Sequence, residues 1–208
     1  IKRCLLTANM ETVINAMWDT LPSCGDKILI IGSGIVGLLM AYILRTIPGV
    51  EILLIDQDNK KKKMANLFNI TFKQKIPKTY KANIIFECSG NSTVINSLSS
   101  HIMEEALICV LSWYGNNISK VNFGEEFLSK RAKIIFSQVS KVSHNRSKYW
   151  DNAARKKLAI SLLNDDKLDS LIEKNMINFR DLPKFFSNVS KHKNFYCKVV
   201  NYGVKINV

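Results

Sequence analysis

The sequence predicts an α/β fold, a doubly wound parallel sheet with helices on both of its faces. Three observations support this prediction: short continuous apolar runs of strand length, helix-length segments between them, and short polar loops that join the two. Apolar runs without polar alternation are typical of strands that are covered on both faces. Strands that alternate with helices in this way pair in parallel, through right-handed crossovers.

The first strand leads into a glycine-rich loop. Residues 28–31 are all apolar and are followed by Gly32, Ser33, Gly34, Ile35, Val36 and Gly37. An apolar segment of helix length, residues 35–47, comes next. In such a G-x-G-x-x-G loop the first glycine permits the tight turn, the second lets a pyrophosphate approach the backbone, and the third lets the helix pack closely on the strand. The loop therefore predicts a dinucleotide site, with the N–H groups of residues 33–36 and the helix N-terminus facing the pyrophosphate.

A carboxylate follows the second predicted strand, residues 51–55. This residue, Asp56, lies about 20 residues beyond Gly37, where a carboxylate bonds the adenosine ribose hydroxyls, and Gln57 follows it. Asp56 would repel the 2′-phosphate of NADP, so the sequence predicts NAD in preference to NADP. The run Lys60 to Lys63 could attract that phosphate, but a solvated helix face is its favoured interpretation. A glycine-rich turn in another kind of α/β protein is the less favoured alternative, because strand, loop, helix and carboxylate are in register.

Three more buried strands are predicted, at residues 83–88, 106–111 and 133–136. Ligands of doubly wound sheets bind beyond the carboxyl ends of the strands. One rim of the sheet should therefore hold the glycine loop, Asp56 and the residues that follow these strands: Ser89, Gly90, Ser112, Trp113, Ser137 and Gln138. For Trp113 and for Tyr114, packing against a neighbouring helix is an equally favoured interpretation.

Helices and minor strands complete the predicted fold, a single dinucleotide-binding domain over residues 1–208. Asn9 is the expected N-cap of an amphipathic helix within a lead-in segment, residues 1–21. The helix at 150–163 should carry Ala154, Leu158 and Leu162 on one face and residues 155–157 on the other. Further helical segments are expected at 59–68, 92–102, 124–129, 168–172 and 181–189, and short strands at 70–72, 195–200 and 204–208.

Composition restricts the classes of partner. The chain is 47% hydrophobic and 23% charged, as is usual for globular proteins. Its net charge of +13 favours nucleic acid, but the basic residues are scattered with few aromatic residues between them, so nucleic acid is not the expected partner. No apolar stretch is long enough to span a membrane, and the start of the chain is not a signal peptide.

The cysteines predict a reducing location. The chain has five, and none forms a C-x-x-C pair. Cys88 and Cys109 lie within predicted strands, where cysteine usually behaves as a small buried apolar residue. A cytoplasmic protein is therefore expected.

The order of the elements resembles the nucleotide-binding part of the medium-chain dehydrogenase/reductases, the zinc alcohol dehydrogenase superfamily. The resemblance rests on the helix from Ala8 to Asp19, the glycine loop and the sequence Glu87-Cys88-Ser89-Gly90. It covers nearly the whole chain, and its specific elements are the loop and Asp56. One subgroup, which includes bacteriochlorophyllide hydroxyethyl dehydrogenase, is similar in three further segments: Phe136 to Val139, Tyr149-Trp150 and Lys157 to Ala159.

The resemblance implies hydride transfer between NAD(H) and an alcohol or carbonyl substrate. It also implies that Ser89 and Gly90 lie against the middle of the cofactor, and that the strand ends at Ser112-Trp113 and Ser137-Gln138 lie near the nicotinamide carboxamide. In such enzymes a separate, mostly β N-terminal domain supplies the zinc ligands and much of the substrate pocket. Because the first residue is not Met, we expect a piece of a longer chain from which that domain is absent. Residues 177–208 would pack on that domain, and a homodimer would form through the edge strand at 133–136.

Catalytic residues are not identified by the sequence. Cys4 and Glu11 are out of register with the zinc ligand that the family often carries before the first helix. His101, His144 and His192 are far apart, with no Cys or carboxylate at ligand spacing. We therefore expect no metal site in this chain, and zinc only if the N-terminal domain supplies the ligands. Two other functions stay open: a non-catalytic NAD(H)-binding sensor or scaffold and, least favoured, a basic nucleic-acid-associated protein.

Overall fold

A six-stranded parallel sheet forms the centre of the computed structural model, which describes residues 2–188 and 195–203. Its strands are β1 (Lys27–Ile31), β2 (Glu51–Ile55), β3 (Thr71–Lys73), β4 (Ala82–Glu87), β5 (Ile102–Val110) and β6 (Lys133–Phe136). Their order is β3-β2-β1-β4-β5-β6, and every neighbouring pair is parallel. This order, which reverses direction between β1 and β4, is that of the doubly wound dinucleotide-binding sheet. The predicted fold class is confirmed.

Helices cover both faces of the sheet. They are α1 (Thr7–Thr20), α2 (Ile35–Leu44), α3 (Lys62–Leu67), α4 (Val94–Ser97), α5 (Glu126–Ser129), α6 (Asn152–Leu162) and α7 (Leu182–Ser187). Short 3₁₀ segments lie at Lys2–Leu6, Asn59–Lys61, Ser99–His101, Asp166–Leu171 and Phe179–Asp181. In the C-terminal part, β7 (Ile177–Asn178) and β8 (Val200–Asn201) pair in parallel as a separate two-stranded sheet.

The side chains of β1 alternate between two apolar clusters. Ile28 and Ile30 join the cluster that includes buried residues of α1, α2 and α6, whereas Leu29 and Ile31 join the cluster that includes Ile95 of α4. These four side chains of β1 are buried, and only Lys27 at its start is exposed. Successive strand residues point to opposite faces, and both faces are covered here, which is why this strand is apolar without interruption.

The central strands end together at one rim. Ile31 of β1 pairs with Ile55 of β2 and with Glu87 of β4, Glu87 pairs with Val110 of β5, and Val110 pairs with Phe136 of β6. The next residues of these strands therefore follow one another across the sheet: Asp56, Gly32, Cys88, Leu111 and Ser137. This row is the rim that the sequence predicts for the ligand.

The first helix begins earlier than predicted. α1 starts at Thr7, so the expected N-cap Asn9 lies inside its first turn. The N-cap position is Leu6, whose backbone is already near-helical at φ −89° and ψ −1° because the segment Lys2–Leu6 is a 3₁₀ turn. A helix that continues from a 3₁₀ turn has no extended cap residue of the kind that favours Asn, so the N-cap prediction is wrong.

The strand predicted at 106–111 begins at Ile102, and the helix predicted before it is reduced to α4 and a 3₁₀ turn. Ile102 pairs with Ala82 and Leu107 pairs with Ile84, so five steps along β5 match two along β4. The extra residues form an irregularity in which Glu105 has a φ of 53°. Polar residues in that irregularity interrupt the apolar run and conceal the first half of the strand.

α6 has the predicted apolar face only in part, because Ala154, Leu158 and Leu162 are partly buried and Ala159 is fully buried. Its N-cap is Asp151, which accepts the Ala154 N–H at 2.7 Å. Lys156 and Lys157 are exposed, but Arg155, which the prediction places on the same face, is buried with an exposed fraction of 3%. Buried acceptors bind its guanidinium, and these hydrogen bonds offset the cost of removing the charge from solvent.

The remaining boundaries shift by a few residues, as helix ends commonly do. The segment predicted as helix at 168–172 is a 3₁₀ turn, and the strand predicted at 195–200 contributes only its last residue, Val200, to β8. α2 ends at Leu44 rather than at 47, and α7 covers only Leu182–Ser187 of the predicted 181–189. Position 189 and the strand predicted at 204–208 lie outside the described residues.

Candidate functional site

The glycine loop makes the turn from β1 into α2. Gly32 has a φ of 97°, and a Cβ added to it would lie 2.7 Å from the carbonyl oxygen of Cys88. A Cβ added to Gly37 would lie 1.9 Å from the carbonyl oxygen of Gly32, so α2 approaches the loop at a distance that only glycine permits. Gly34 differs, because a Cβ added there would meet no atom within 4 Å. The fold requires the first and third glycines, whereas the second borders open space.

The N-terminus of α2 faces this open space. Gly34 is the N-cap of the ten-residue helix, and its carbonyl oxygen accepts the Leu38 N–H at 3.0 Å. The N–H groups of the preceding residues, Ile35, Val36 and Gly37, therefore have no acceptor within the helix. Together with the positive end of the helix dipole they form a site for an anion. The residues present fit the pyrophosphate of a dinucleotide.

Asp56 is bonded directly to the glycine loop. Its Oδ2 accepts the backbone N–H of Ser33 at 2.9 Å and the Ser33 hydroxyl at 3.1 Å, and its Oδ1 accepts the Asp58 N–H at 2.9 Å. Ser33 is fully buried. The structure brings Asp56 and the loop together as the sequence predicts, but the Ser33 N–H is used by Asp56 rather than left free for a ligand. Asp56 thus also holds the shape of the loop.

The residues after β4 and β5 are joined by a hydrogen bond across the rim. The Gly90 N–H donates to Oγ of Ser112 at 2.8 Å. Ser89 lies beside the loop, since a Cβ added to Gly32 would lie 2.8 Å from its Cα. The sequence predicts that these segments share one rim, and the structure brings Ser89, Gly90 and Ser112 together next to the glycine loop.

A buried carboxylate that sequence reasoning did not select lies at the centre of the rim. Glu87, the last residue of β4, has no exposed surface. Its Oε1 accepts the N–H and hydroxyl of Ser89 at 2.7 and 2.5 Å, and its Oε2 accepts the Tyr114 hydroxyl at 2.5 Å. Burial, and then the bond to Glu87, raise the pKa of Tyr114. The sequence signal for this buried site was an acidic residue directly after the apolar run 84–86 of β4.

The segment after β6 is bonded to α1. The Ser137 hydroxyl donates to Oδ2 of Asp19 at 2.6 Å, and the Gln138 carbonyl oxygen accepts from Nδ2 of Asn15 at 3.4 Å. The Gln138 side chain accepts the Ser140 N–H at 2.8 Å. Both residues lie at the rim, but the Ser137 hydroxyl is engaged with α1. Sequence reasoning did not foresee this link, although polar residues spaced four apart along α1 were a visible signal.

Two of the assigned residues are exposed. Trp113 is 88% exposed, so the interpretation that it packs against a helix is wrong, whereas Tyr114 is partly buried. Gln57 is exposed, and its carbonyl oxygen accepts from Nε2 of Gln74 at 2.9 Å. Near Gln74, at the end of β3, lies an open hollow of about 460 Å³ that is lined by Asn59, Lys62, Phe72, Lys73, Gln74 and Lys75.

The histidines and cysteines do not assemble into a cluster in the described part of the chain. Nδ1 of His101 lies 2.9 Å from the carbonyl oxygen of Tyr80, His144 is exposed, and His192 lies outside the described residues. Cys109 is fully buried, as predicted, and Cys88 is partly buried immediately after β4. Among residues 2–188 and 195–203, no group of three or more His, Cys, Asp or Glu side chains could hold a metal ion.

Comparisons with known proteins identify similar folds rather than similar sequences. No family model matches the chain, and no curated protein matches it.

Among the helices in the described ranges, none is long and apolar enough to cross a membrane.

Many solved structures have the same fold, and those below are alcohol dehydrogenases or bind a nicotinamide dinucleotide. A short chain alcohol dehydrogenase from E. coli CFT073, complexed with NADH, has a TM-score of 0.70 and 16% identity over 94% of this chain and 57% of its own. An alcohol dehydrogenase from Thermus sp. ATN1 has a TM-score of 0.74 and 14% identity, covering 96% and 60%. S. aureus TarJ, in complex with NADPH, has a TM-score of 0.70 and 21% identity, covering 94% and 62%.

These likenesses confirm the predicted resemblance at the level of the fold. The chain folds like part of the alcohol dehydrogenases. It spans somewhat more than half the length of the solved structures that it matches. The similarity to one subgroup stays a prediction, as do the substrate and the assembly.

Proposed function

We propose that this chain is the NAD(H)-binding part of an alcohol dehydrogenase-like oxidoreductase. The observation that carries the proposal is the space above Gly34, which borders the free N-terminus of α2, with the Asp56 carboxylate bonded to the same loop. A pyrophosphate in that space and an adenosine ribose near Asp56 would place the rest of the cofactor over the ends of β4, β5 and β6.

The proposed reaction is hydride transfer between the nicotinamide ring and an alcohol or carbonyl carbon. The hydride chemistry belongs to the cofactor, and the chain binds and orients it. Ser89 and Gly90 are proposed to contact its middle, and Ser112, Trp113, Ser137 and Gln138 its nicotinamide end. A further N-terminal domain would supply the substrate pocket and any zinc ligands. We propose a cytoplasmic protein in which residues 1–208 are one domain and 177–208 pack on that further domain.

We propose NAD rather than NADP as the cofactor. The negative charge of Asp56 at the end of β2 disfavours a 2′-phosphate at the adjacent ribose. The hollow beyond β3 is the competing observation, because Lys62, Lys73 and Lys75 line it and the Asp56 N–H donates to the Lys73 carbonyl oxygen at 3.3 Å. The carboxylate is expected to dominate because it is bonded to the glycine loop itself, whereas the lysines lie at the open edge of the sheet.

A non-catalytic NAD(H)-binding sensor or scaffold is the second candidate. Ser33 donates two hydrogen bonds to Asp56 and so holds the carboxylate beside the glycine loop. This candidate uses the same site to bind NAD(H). It differs in turnover, because a scaffold binds NADH but does not oxidise it when carbonyl compounds are added. A nucleic-acid-associated protein remains the least favoured alternative, and it would retain DNA with a strong dependence on salt.

Calorimetric titration of the 208-residue chain with NADH and NADPH tests the proposal. The wild-type chain is expected to bind NADH more tightly. The variant Asp56→Asn keeps the shape of the side chain and removes its charge, so we expect NADH binding to weaken about tenfold, as when a charged hydrogen-bond partner is lost, and NADPH binding to improve. Asp58→Asn is the matched control, because Asp58 is the nearby carboxylate that caps the turn at Lys60.

The titration tests dinucleotide binding and the choice of cofactor, whereas turnover of NADH with added carbonyl compounds separates the dehydrogenase from the scaffold. Absence of binding by either dinucleotide would overturn the proposal. Tighter binding of NADPH by the wild-type chain would reverse the choice of cofactor and assign the lysine-lined hollow to the 2′-phosphate. An equal effect of Asp56→Asn and Asp58→Asn would show that Asp56 has no specific role at the ribose.

A further inference from the structure

One face of α1 carries three polar residues spaced four apart: Glu11, Asn15 and Asp19. Residues at this spacing lie above one another on a helix. Two of them are buried, with exposed fractions of 9% for Glu11 and 2% for Asn15. Burial of polar groups is unfavourable unless each finds a hydrogen-bond partner. The partners of this stripe therefore indicate what it does.

The stripe binds the loop that follows β6, which we call the 137–145 loop. Asp19 accepts the Ser137 hydroxyl, and Asn15 donates to the Gln138 carbonyl oxygen. Oδ1 of Asn15 also accepts the backbone N–H of Ser143 at 3.0 Å. Asn145 then donates through Nδ2 to the Trp18 carbonyl oxygen at 2.8 Å. The 137–145 loop is thus attached to α1 at its beginning, near its end and at its last residue.

Arg155 of α6 joins the other side of the same loop. Its Nη2 donates to the Val139 carbonyl oxygen at 2.7 Å, and its Nη1 donates to Oδ1 of Asn15 at 2.8 Å and to the Lys141 carbonyl oxygen at 3.4 Å. Its Nε lies 3.4 Å from Oε1 of Glu11. A planar guanidinium can serve all of these acceptors at once, which a lysine ammonium on its flexible stem cannot do.

We propose that Arg155 is a positioning residue for the nicotinamide half of the cofactor. This inference rests on the proposed function. With the adenosine half over β2, the other half of a dinucleotide extends across the reversal point towards β4, β5 and β6. The 137–145 loop is the continuation of β6, so Arg155 and Asn15 fix the backbone that borders this half. Neither residue needs to touch the cofactor for this role.

The physical reason is that Arg155 is the donor to two buried acceptors, and residues 2–188 and 195–203 offer these acceptors no other donor. Replacing Arg155 by Met leaves the Val139 carbonyl oxygen and the buried Glu11 carboxylate without their donor. Unpaired buried groups are costly and seek water. The 137–145 loop is expected to move away from α6, while the glycine loop and Asp56 remain in place because α2 and β1 hold them.

The experiment compares NADH with ADP-ribose, which is the cofactor without its nicotinamide ring. Dissociation constants of both ligands are measured by calorimetry on the wild-type chain and on Arg155→Met. We expect the wild-type chain to bind NADH more tightly than ADP-ribose. In Arg155→Met the NADH dissociation constant should rise about tenfold, the equivalent of one or two lost hydrogen bonds. The ADP-ribose dissociation constant should change by less than about twofold.

Two further variants keep the test decisive. Leu163→Ala shortens a core side chain just after α6, about two helical turns from Arg155, and it should lower stability without changing the ratio of the two constants. Asn145→Ala removes the exposed end of the 137–145 loop's attachment and is not expected to impair folding. It should reduce the preference for NADH over ADP-ribose by about threefold if the loop positions the nicotinamide half.

Each outcome has one interpretation. A reduced NADH preference in Arg155→Met and Asn145→Ala, with an unchanged preference in Leu163→Ala, supports the positioning role. If Arg155→Met does not fold, Asn145→Ala alone decides. Equal weakening of both ligands, or an unchanged ratio, overturns the role of Arg155 while leaving NAD binding intact. A wild-type chain that binds neither ligand overturns the proposed function and this inference with it.

Discussion

Gly34 and Gly37 lie in one loop but are glycine for different physical reasons. A Cβ on Gly37 would overlap the Gly32 carbonyl oxygen, whereas a Cβ on Gly34 would meet only open space. Gly34 also has an ordinary φ of −69°, which any residue adopts. Folding therefore requires glycine at position 37, whereas ligand binding requires it at position 34. The two substitutions by alanine should separate stability from affinity.

We predict opposite effects for Gly37→Ala and Gly34→Ala. Gly37→Ala should lower the free energy of unfolding by about 1–3 kcal/mol or more, because the backbone must shift to relieve the overlap. Gly34→Ala should leave that free energy within about 0.5 kcal/mol of wild type and weaken NADH binding at least about tenfold, since the methyl group occupies the space of the pyrophosphate. Urea unfolding and NADH titration measure the two effects.

Each variant is the control for the other. If Gly34→Ala bound NADH as well as the wild-type chain, the space above Gly34 would not be the pyrophosphate site. If Gly37→Ala were as stable as the wild-type chain, the close approach of α2 to the loop would not be a requirement of the fold.

Strand β6 forms one edge of the six-stranded sheet, and β3 forms the other. β3 has three residues, two of them exposed, and such a short edge offers little to a second sheet. β6 carries Phe136 with a 74% exposed side chain, and its preceding isoleucines are only partly buried. An apolar edge of this kind suits the homodimer that the resemblance implies, in which each β6 strand would lie beside its copy.

We predict that the chain forms a homodimer through β6 and that Phe136→Lys dissociates it. With the twofold axis at the middle of β6, residue 136 of each copy lies opposite residue 133 of the other copy. Residue 133 is a lysine, so a lysine at 136 would meet a like charge. Light scattering at several concentrations should give a dimer mass for the wild-type chain and a monomer mass for the variant. Leu67→Lys, on the exposed side of α3 near the opposite edge, is the control and should remain dimeric. A monomeric wild-type chain at high concentration would exclude this interface.

The sequence predicts elements well where one local pattern decides them. β1 and β2 are apolar because both sheet faces are covered, and the glycine loop follows from the approach of α2 to β1. The start of β5 is missed because it lies in an irregularity where Glu105 interrupts the apolar run. The start of α1 is missed because a 3₁₀ turn replaces the usual cap.

Contacts between distant parts of the chain decide what the sequence could not show. The sequence pattern places Arg155 with Lys156 and Lys157 on the polar face of α6, yet its acceptors come from Glu11, Asn15 and the 137–145 loop. The partners on α1 lie far from Arg155 in sequence, so the helical periodicity around Arg155 does not predict them. The rim of the sheet was predictable, since the topology alone brings the strand ends together. The attachments of its individual side chains were not.

The buried thiol of Cys109 gives the whole molecule a dependence on alkaline pH. Burial near the end of β5 and, to a smaller extent, the charge of Asp19 raise its pKa from 9.0 to about 12. The folded state therefore holds this proton more tightly than the unfolded state does. The contribution of the protonated thiol to the free energy of unfolding is fully present below pH 9. It is lost as the pH rises towards about 12.

We predict that the free energy of unfolding falls more steeply with pH in the wild-type chain than in Cys109→Ala above pH 9. One proton fewer is linked to unfolding in the variant, so the slopes should differ by up to about 1.4 kcal/mol per pH unit. The variant is also less stable at every pH because it loses buried volume, and for that reason the slopes are compared and not the values. Urea unfolding between pH 8 and about 11 supplies them.

Cys4 provides the matched control, because its side chain is exposed. Cys4→Ala should give a curve parallel to that of the wild-type chain over the whole range. Tyr80 and Tyr196, whose pKa values burial raises from 10.0 to about 12, are present in all three proteins and contribute equally to each curve. A difference in slope between wild type and Cys109→Ala therefore reports the single thiol in β5. Parallel curves for all three proteins would mean that this thiol ionises equally easily in the folded and unfolded states, and would contradict the prediction.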